Sequence, residues 1–195
     1  MCGRYYVGEN LIEKVQEAIG NTIAASTHVY CGDVTPGMKA SVIANRNNKP
    51  VIEEMTWGFE KFDGKGLIIN ARAETAEEKR LFRECVQNRR ILIPASGFYE
   101  WDRDRNKVTF TLNSSPVIFL AGFYQRTEDA PDGRYVILTT AANASMEPVH
   151  DRMPLMIEER DINTWLSDES AVHDLLRREM PVLEAEREYE QQSLF

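Results

Sequence analysis

Between residues 90 and 142 lie four apolar runs of strand length: R-I-L-I-P-A-S-G-F-Y-E-W, K-V-T-F-T-L, V-I-F-L-A-G-F-Y and R-Y-V-I-L-T-T-A. Short polar segments separate them, including the turn signals N-S-S-P and D-A-P-D-G. Strands joined this closely pair mostly antiparallel. The first run is read as one long strand broken at Pro94. A-S-V-I-A-N and P-V-I-E-E-M-T-W add two more strands across the turn-rich R-N-N-K, and residues 2–7 add a short one. Helical spacing is rarer. Leu11, Ile12, Val15 and Ile19 mark one helix that Gly20 stops. The pattern Thr75-x-x-Glu78 is a capping box opening a second, which ends near Asn88 and buries Leu81, Phe82, Cys85 and Val86. Two short helices follow near 159–166 and 169–178. The expectation is a single α+β domain with a curved, mostly antiparallel sheet or open barrel flanked by a few helices. It occupies residues 1–180, and residues 181–195 form an acidic C-terminal tail.

Composition narrows the class further. The 195 residues are 43% hydrophobic and 28% charged, enough to build a core without a disulfide or metal staple. No run approaches the ~18 apolar residues of a membrane span, and the N-terminus lacks a secretory signal. Cys2, Cys31 and Cys85 are widely spaced without a C-x-x-C, so neither a zinc site nor a disulfide framework is expected. This describes a cytoplasmic protein with reduced thiols and no cofactor. The net charge of -8 argues against nucleic acid when taken whole. Its distribution weakens that argument. Residues 158–195 hold 4 basic against 11 acidic side chains, whereas residues 1–157 hold 19 against 20. The main body can therefore carry a local basic groove.

Cys2 is the first candidate for chemistry. Met1 precedes a small residue, and removal of such a methionine exposes an N-terminal cysteine. That residue is a 1,2-aminothiol, whose α-amine titrates near ~7.7–8.0 and is partly unprotonated at neutral pH. The amine forms a Schiff base with an aldehyde, and the thiol can close onto the imine as a five-membered thiazolidine. Alternatively, the thiol attacks an acyl carbon with the amine as its base. His150, in V-H-D-R-M-P-L beside Asp151 and Arg152, is the candidate acid/base; His28 and His173 are read as structural. Glu100 lies between Tyr99 and Trp101 at a strand end, where desolvation suits a carboxylate to proton transfer. Asn70 ends the apolar L-I-I and can orient a carbonyl or substrate. Each has an ordinary structural reading as well: buried thiol, loop histidine, surface glutamate, turn cap. Trp57 and Trp101 are either core residues or base-stacking platforms.

The motifs are more specific together than singly. M-C-G-R-Y, W-G-F at 57–59, N-A-R-A-E-T at 70–75 and I-P-A-S-G-F-Y-E-W at 93–101 occur in order. A-G-F-Y at 121–124, T-T-A-A at 139–142 and H-D-R-M-P at 150–154 complete the series. From residue 2 to about 166 the chain resembles the SOS-response-associated peptidase (SRAP) family of abasic-site processing proteins. That resemblance implies a covalent crosslink to abasic sites in single-stranded DNA, with autopeptidase removal of Met1 and lyase-related activity. It implies Cys2 as the crosslinking residue, with Asn70, Glu100 and His150 completing the active site. It also implies DNA contacts from Arg4, Arg72, Arg152 and Arg80 to phosphates, from Pro36, Trp57 and Trp101 to bases, and from Thr140. Three rival readings remain: a class II glutamine amidotransferase, which also begins M-C-G; a cysteine peptidase using Cys2; and a non-covalent single-strand binder. The terminal Gln191-Gln192-Ser193-Leu194-Phe195 resembles peptides that dock on the replicative sliding clamp, with Gln191, Leu194 and Phe195 as anchors.

Overall fold

The computed structural model describes residues 2–20 and 30–188. Met1, His28, Gln191, Leu194 and Phe195 lie outside these residues. The chain begins with β1 (Arg4–Val7), α1 (Leu11–Ile19), β2 (Gly32–Val34), β3 (Lys39–Arg46) and β4 (Lys49–Trp57). A small hairpin, β5 (Phe59–Glu60) and β6 (Leu67–Ile68), leads to β7 (Asn70–Arg72), α2 (Ala73–Ala76) and α3 (Arg83–Asn88). Next come β8 (Arg90–Ala95), β9 (Gly97–Trp101), β10 (Lys107–Thr111), β11 (Ile118–Thr127) and β12 (Ala130–Ala141). The last elements are β13 (Arg152–Pro154), β14 (Met156–Ile157), a 3-10 turn (Glu159–Asp161), α4 (Ile162–Ser167), α5 (Val172–Leu175) and β15 (Glu184–Glu188).

The expected α+β architecture is present, and its sheet curls into a ring. In the larger sheet β12, β4, β3, β8 and β11 follow in order, and β11 pairs β12 again. Four of those pairings are antiparallel; the ring closes where β12 meets β4 in parallel, with Tyr135 opposite Trp57. β7 also runs parallel to β12, setting Asn70 opposite Ile137 and Arg72 opposite Thr139. A second sheet runs β15-β10-β9-β1-β2. The β3–β4 hairpin turns on Asn47 and Asn48, at φ 54° and 61°, a left-handed conformation that asparagine tolerates. The core fills the ring and the space between sheets with Tyr5, Met55, Trp57, Phe98, Phe110, Phe123 and Tyr135, all buried.

Several expectations are corrected. The helix expected from Thr75 to Asn88 is two helices, because β7 runs straight into α2 at Ala73 and puts Thr75 inside a helix rather than before one. The intervening turn carries Phe82 inward against Phe123, ring centroids 5.3 Å apart, and rotates Leu81 outward to 52% exposure. The strand over 90–101 breaks at Ser96, not at Pro94. Pro94 pairs with Phe119, and the ladder from β8 to β3 reaches only Ile91 and Leu92, so the missing N–H breaks no bond there. At Ser96 the chain passes to the second sheet: its N–H donates to the Tyr6 carbonyl at 2.9 Å. The turn placed at D-A-P-D-G is tighter, since β11 ends at Thr127 and β12 starts at Ala130. Within the segment set apart as a tail, β15 pairs residue for residue with β10, supported by a Lys107–Glu188 ion pair at 2.9 Å.

Candidate active site

Cys2 lies just before β1 and is 1% exposed. Its carbonyl accepts a hydrogen bond from Asn70 Nδ2 at 2.9 Å, which ties the N-terminal segment to the start of β7. Its Sγ contacts the Arg4 carbonyl at 3.9 Å. Glu100 reaches the same corner through register. Arg4 pairs with Tyr99, and side chains alternate along β9, so Phe98 and Glu100 face inward while Tyr99 and Trp101 face outward. Glu100 is 6% exposed. Burial first, and the Glu100 carboxylate second, push the Cys2 thiol from its ordinary 9.0 up to about 12. The thiol is therefore held neutral at physiological pH.

Below Cys2 lies a buried aromatic floor that the sequence reading missed. The Tyr5 and Tyr135 hydroxyls are hydrogen-bonded at 2.7 Å, and Tyr5 packs on Trp57 at 5.3 Å between ring centroids. Burial raises both phenols. Trp57 belongs to this floor and is fully buried, its indole N–H donated to the Ile69 carbonyl at 3.0 Å. It is a core residue, and the base-stacking role expected of it is corrected. Phe62 is an exposed aromatic in the loop of the β5–β6 hairpin, which leads into Asn70. Its only sequence signal was an aromatic in a Gly- and Lys-rich loop, K-F-D-G-K-G.

Four further candidates, Arg72, Thr140, His150 and Arg152, gather around the C-terminal end of β12. Arg72 and Thr139 are opposite one another, as are Thr140 and Met153, and Ala141 and Arg152. His150 precedes β13 in this cluster. Its Nδ1 accepts the Arg152 main-chain N–H at 2.9 Å, and Asp151 Oδ1 lies at the same distance. The main-chain donor is fixed by the fold whereas the Asp151 side chain is 87% exposed, so we place the ring proton on Nε2. Arg152 is already engaged. It makes a bidentate pair with Glu74 at 2.7 and 2.8 Å and donates to the Thr139 carbonyl at 2.6 Å. A phosphate there has to compete with Glu74, which holds its own carboxyl below the usual range through Arg152. Arg72 and Arg80 are exposed, Arg80 in the turn between α2 and α3 rather than on a helix. A groove lined by Ile68, Asn70, Arg72, Thr75, Lys79, Leu81 and Phe82 runs from this cluster along α2. Arg4 lies over the Trp101 ring at 5.5 Å and pairs with Asp33 at 3.5 Å. Pro36 is half-buried in the β2–β3 turn. Among the described residues no cluster of histidine, cysteine or carboxylate side chains could hold a metal. No helix among them is long and apolar enough to cross a membrane.

The comparisons agree on family and fold. "Abasic site processing protein YoqW" of Bacillus subtilis is 30% identical over 193 residues, covering 91% of this chain and 85% of that protein. "Abasic site processing protein YedK" of Escherichia coli is 27% identical over 182 residues, covering 87% and 81%. The crystal structure of a phage-related protein from Bordetella bronchiseptica superposes with a TM-score of 0.80 at 20% identity, covering 97% of this chain and 95% of that one. Residues 1–191 match the family described as SOS response associated peptidase (SRAP), and the chain belongs to that family.

Proposed function

We propose that this protein processes abasic sites in single-stranded DNA by forming a covalent thiazolidine through Cys2 once Met1 is removed. The observation that carries the reading is the buried corner shared by Cys2, Asn70 and Glu100, in which the thiol is neutral. A neutral thiol is a poor first nucleophile, whereas an N-terminal α-amine titrating near ~8 is a competent one. The amine attacks C1′ of the ring-opened deoxyribose and gives a carbinolamine. Loss of water yields the imine. Sγ then bonds to C1′, and the thiol proton goes to the former imine nitrogen, closing the ring without a net change in protons. Glu100 and His150 Nε2–H are the groups proposed to open the sugar and shuttle these protons. The closed ring leaves no imine to drive β-elimination, so the strand stays intact.

The names of the curated relatives support abasic-site processing as the general activity. Arg4, Arg72 and Arg80 are the proposed phosphate contacts, Arg152 joining them only on release from Glu74. Phe62 and Trp101 are the proposed stacking rings, with Pro36 and Thr140 beside the lesion. Docking of Gln191, Leu194 and Phe195 on a sliding clamp rests on those residues alone, and a clamp pull-down with and without 191–195 tests it. The covalent step is tested with an abasic oligonucleotide. Wild type gives an adduct that survives denaturation without reductant, and Cys2→Ala gives one only when borohydride traps the imine. A heat-stable adduct from unreduced Cys2→Ala contradicts the mechanism.

A further inference from the structure

Asn143 joins the turn that carries His150 to a segment near the C-terminus. Its side-chain oxygen accepts the Ser145 N–H at 3.0 Å and the Ser145 hydroxyl at 2.6 Å. Its carbonyl accepts the N–H groups of Met146 and Glu147 at 3.0 and 2.9 Å. These bonds start a tight turn, which the Met146 carbonyl completes by accepting the N–H groups of Val149 and His150 at 2.9 and 3.0 Å. Ala142 donates to the Asp151 carbonyl at 3.0 Å, so the main chain is fixed on both sides of the imidazole. The amide nitrogen of Asn143 serves the other segment. It donates to the carbonyls of Met180 and Pro181 at 3.1 and 2.8 Å. Two residues on, the Leu183 N–H donates to Ser145 Oγ at 3.0 Å, and Leu183 is buried. Residues 180–183 therefore lie as a strap against the turn before the chain enters β15. The turn alone does not require asparagine, because an aspartate or serine oxygen caps it equally well. Only an amide caps the turn and also donates to the strap.

We infer that Asn143 is the positioning residue for His150 and that the strap of residues 180–183 belongs to the active-site scaffold. What His150 does rests on the proposed function; how it is held rests on the hydrogen bonds. The ring is oriented by the local main chain, since Nδ1 accepts the N–H of Arg152 two residues on. That bond requires one conformation of residues 150–152, so a turn free to rock carries the Nε2–H with it. Asn143 removes this freedom by tying the turn to a carbonyl 37 residues away. The benefit is geometric, because a proton donor misplaced by about 1 Å loses on the order of a hundredfold in rate.

Asn143→Asp separates the two roles: it keeps the capping oxygen and loses both donors to the strap. Ser145→Ala is the milder variant, removing the Leu183 bond and leaving Asn143 in place, and it carries the test should Asn143→Asp fail to fold. The chain has three histidines, so imidazole nitrogen NMR, with His150→Ala to assign the signal, reads the ring directly. At roughly pH 8.5, where the imidazole is neutral, wild type should show the Nε2–H tautomer alone and both variants a mixture. Crosslinking at saturating abasic oligonucleotide should slow about tenfold to hundredfold in Asn143→Asp, with affinity for an undamaged oligothymidylate unchanged. In a His150→Ala background Asn143→Asp should have no further effect, because a residue acting through His150 then has nothing to position. A wild-type His150 spectrum in the folded variants overturns the inference, as does equal slowing by Asn143→Asp with and without His150. A changed spectrum with unchanged crosslinking supports the positioning and counts against the proposed role of His150 alone.

Discussion

The neutral thiol makes a prediction that can be worked through in advance. In the folded protein the Cys2 thiol is pushed up to about 12 from its ordinary 9.0, with burial the larger cause and Glu100 the second. At neutral pH its thiolate fraction is then about a thousandfold lower than in the unfolded chain. Iodoacetamide reacts with the thiolate, so alkylation of Cys2, followed by peptide mass mapping across pH, reports the titration. In urea the rate should level off above roughly pH 9. In the native protein it should keep climbing about tenfold per pH unit well past roughly pH 10. Steric protection lowers the native rate at every pH without moving the bend, so the position of the bend carries the test. Glu100→Gln removes the smaller cause and should move the bend to lower pH without bringing it to the unfolded position. The same group bears on stability. A raised folded pKa contributes stability fully present below about 9, which is lost as pH rises toward about 12. A native bend near pH 9 would refute the claim that the site holds its thiol neutral.

Further outcomes follow from the same geometry. Tyr5→Phe leaves the buried Tyr135 hydroxyl without its partner and should cost about 1–3 kcal/mol by urea unfolding, whereas Tyr5→Phe/Tyr135→Phe should recover most of that loss. Glu74→Gln removes the counter-charge from Arg152 and should steepen the salt dependence of single-strand binding by up to about 0.7 in log–log slope. Trp57→Phe should lower stability by about 1–3 kcal/mol, through loss of its bond to Ile69 and of packing, and leave DNA affinity unchanged. Phe62→Ala should do the reverse, with stability within about 0.5 kcal/mol and weaker binding.

Strand-forming patterns were legible because alternation and turn chemistry are local. The β3–β4 hairpin at Asn47-Asn48 and the α1 stop at Gly20 appear where the residues place them. Closure of the ring was not legible, since the parallel meeting of Tyr135 with Trp57 joins residues far apart in sequence. The same distance concealed the Tyr5–Tyr135 bond and the Glu74–Arg152 pair. A W-G-F motif is compatible with a buried ring and a surface one, and stacking by Trp57 came from the resemblance; its complete burial and its indole bond to Ile69 decide for the core. Leu81 fitted the apolar face of a continuous helix, and burial of Phe82 against Phe123 broke that helix. β15 was hidden by its composition: every residue of it is exposed, so it shows no apolar alternation, and backbone pairing to β10 and the Lys107 contact hold it.

Intact-mass analysis of the purified protein, with and without an abasic single-stranded oligonucleotide and without reductant, tests the central claim most directly. The account predicts protein lacking Met1, shifted by the oligonucleotide mass less one water, resistant to borohydride and mapped by peptide sequencing to Cys2. An unshifted protein, or an adduct that retains Met1 or maps to a residue other than Cys2, contradicts it.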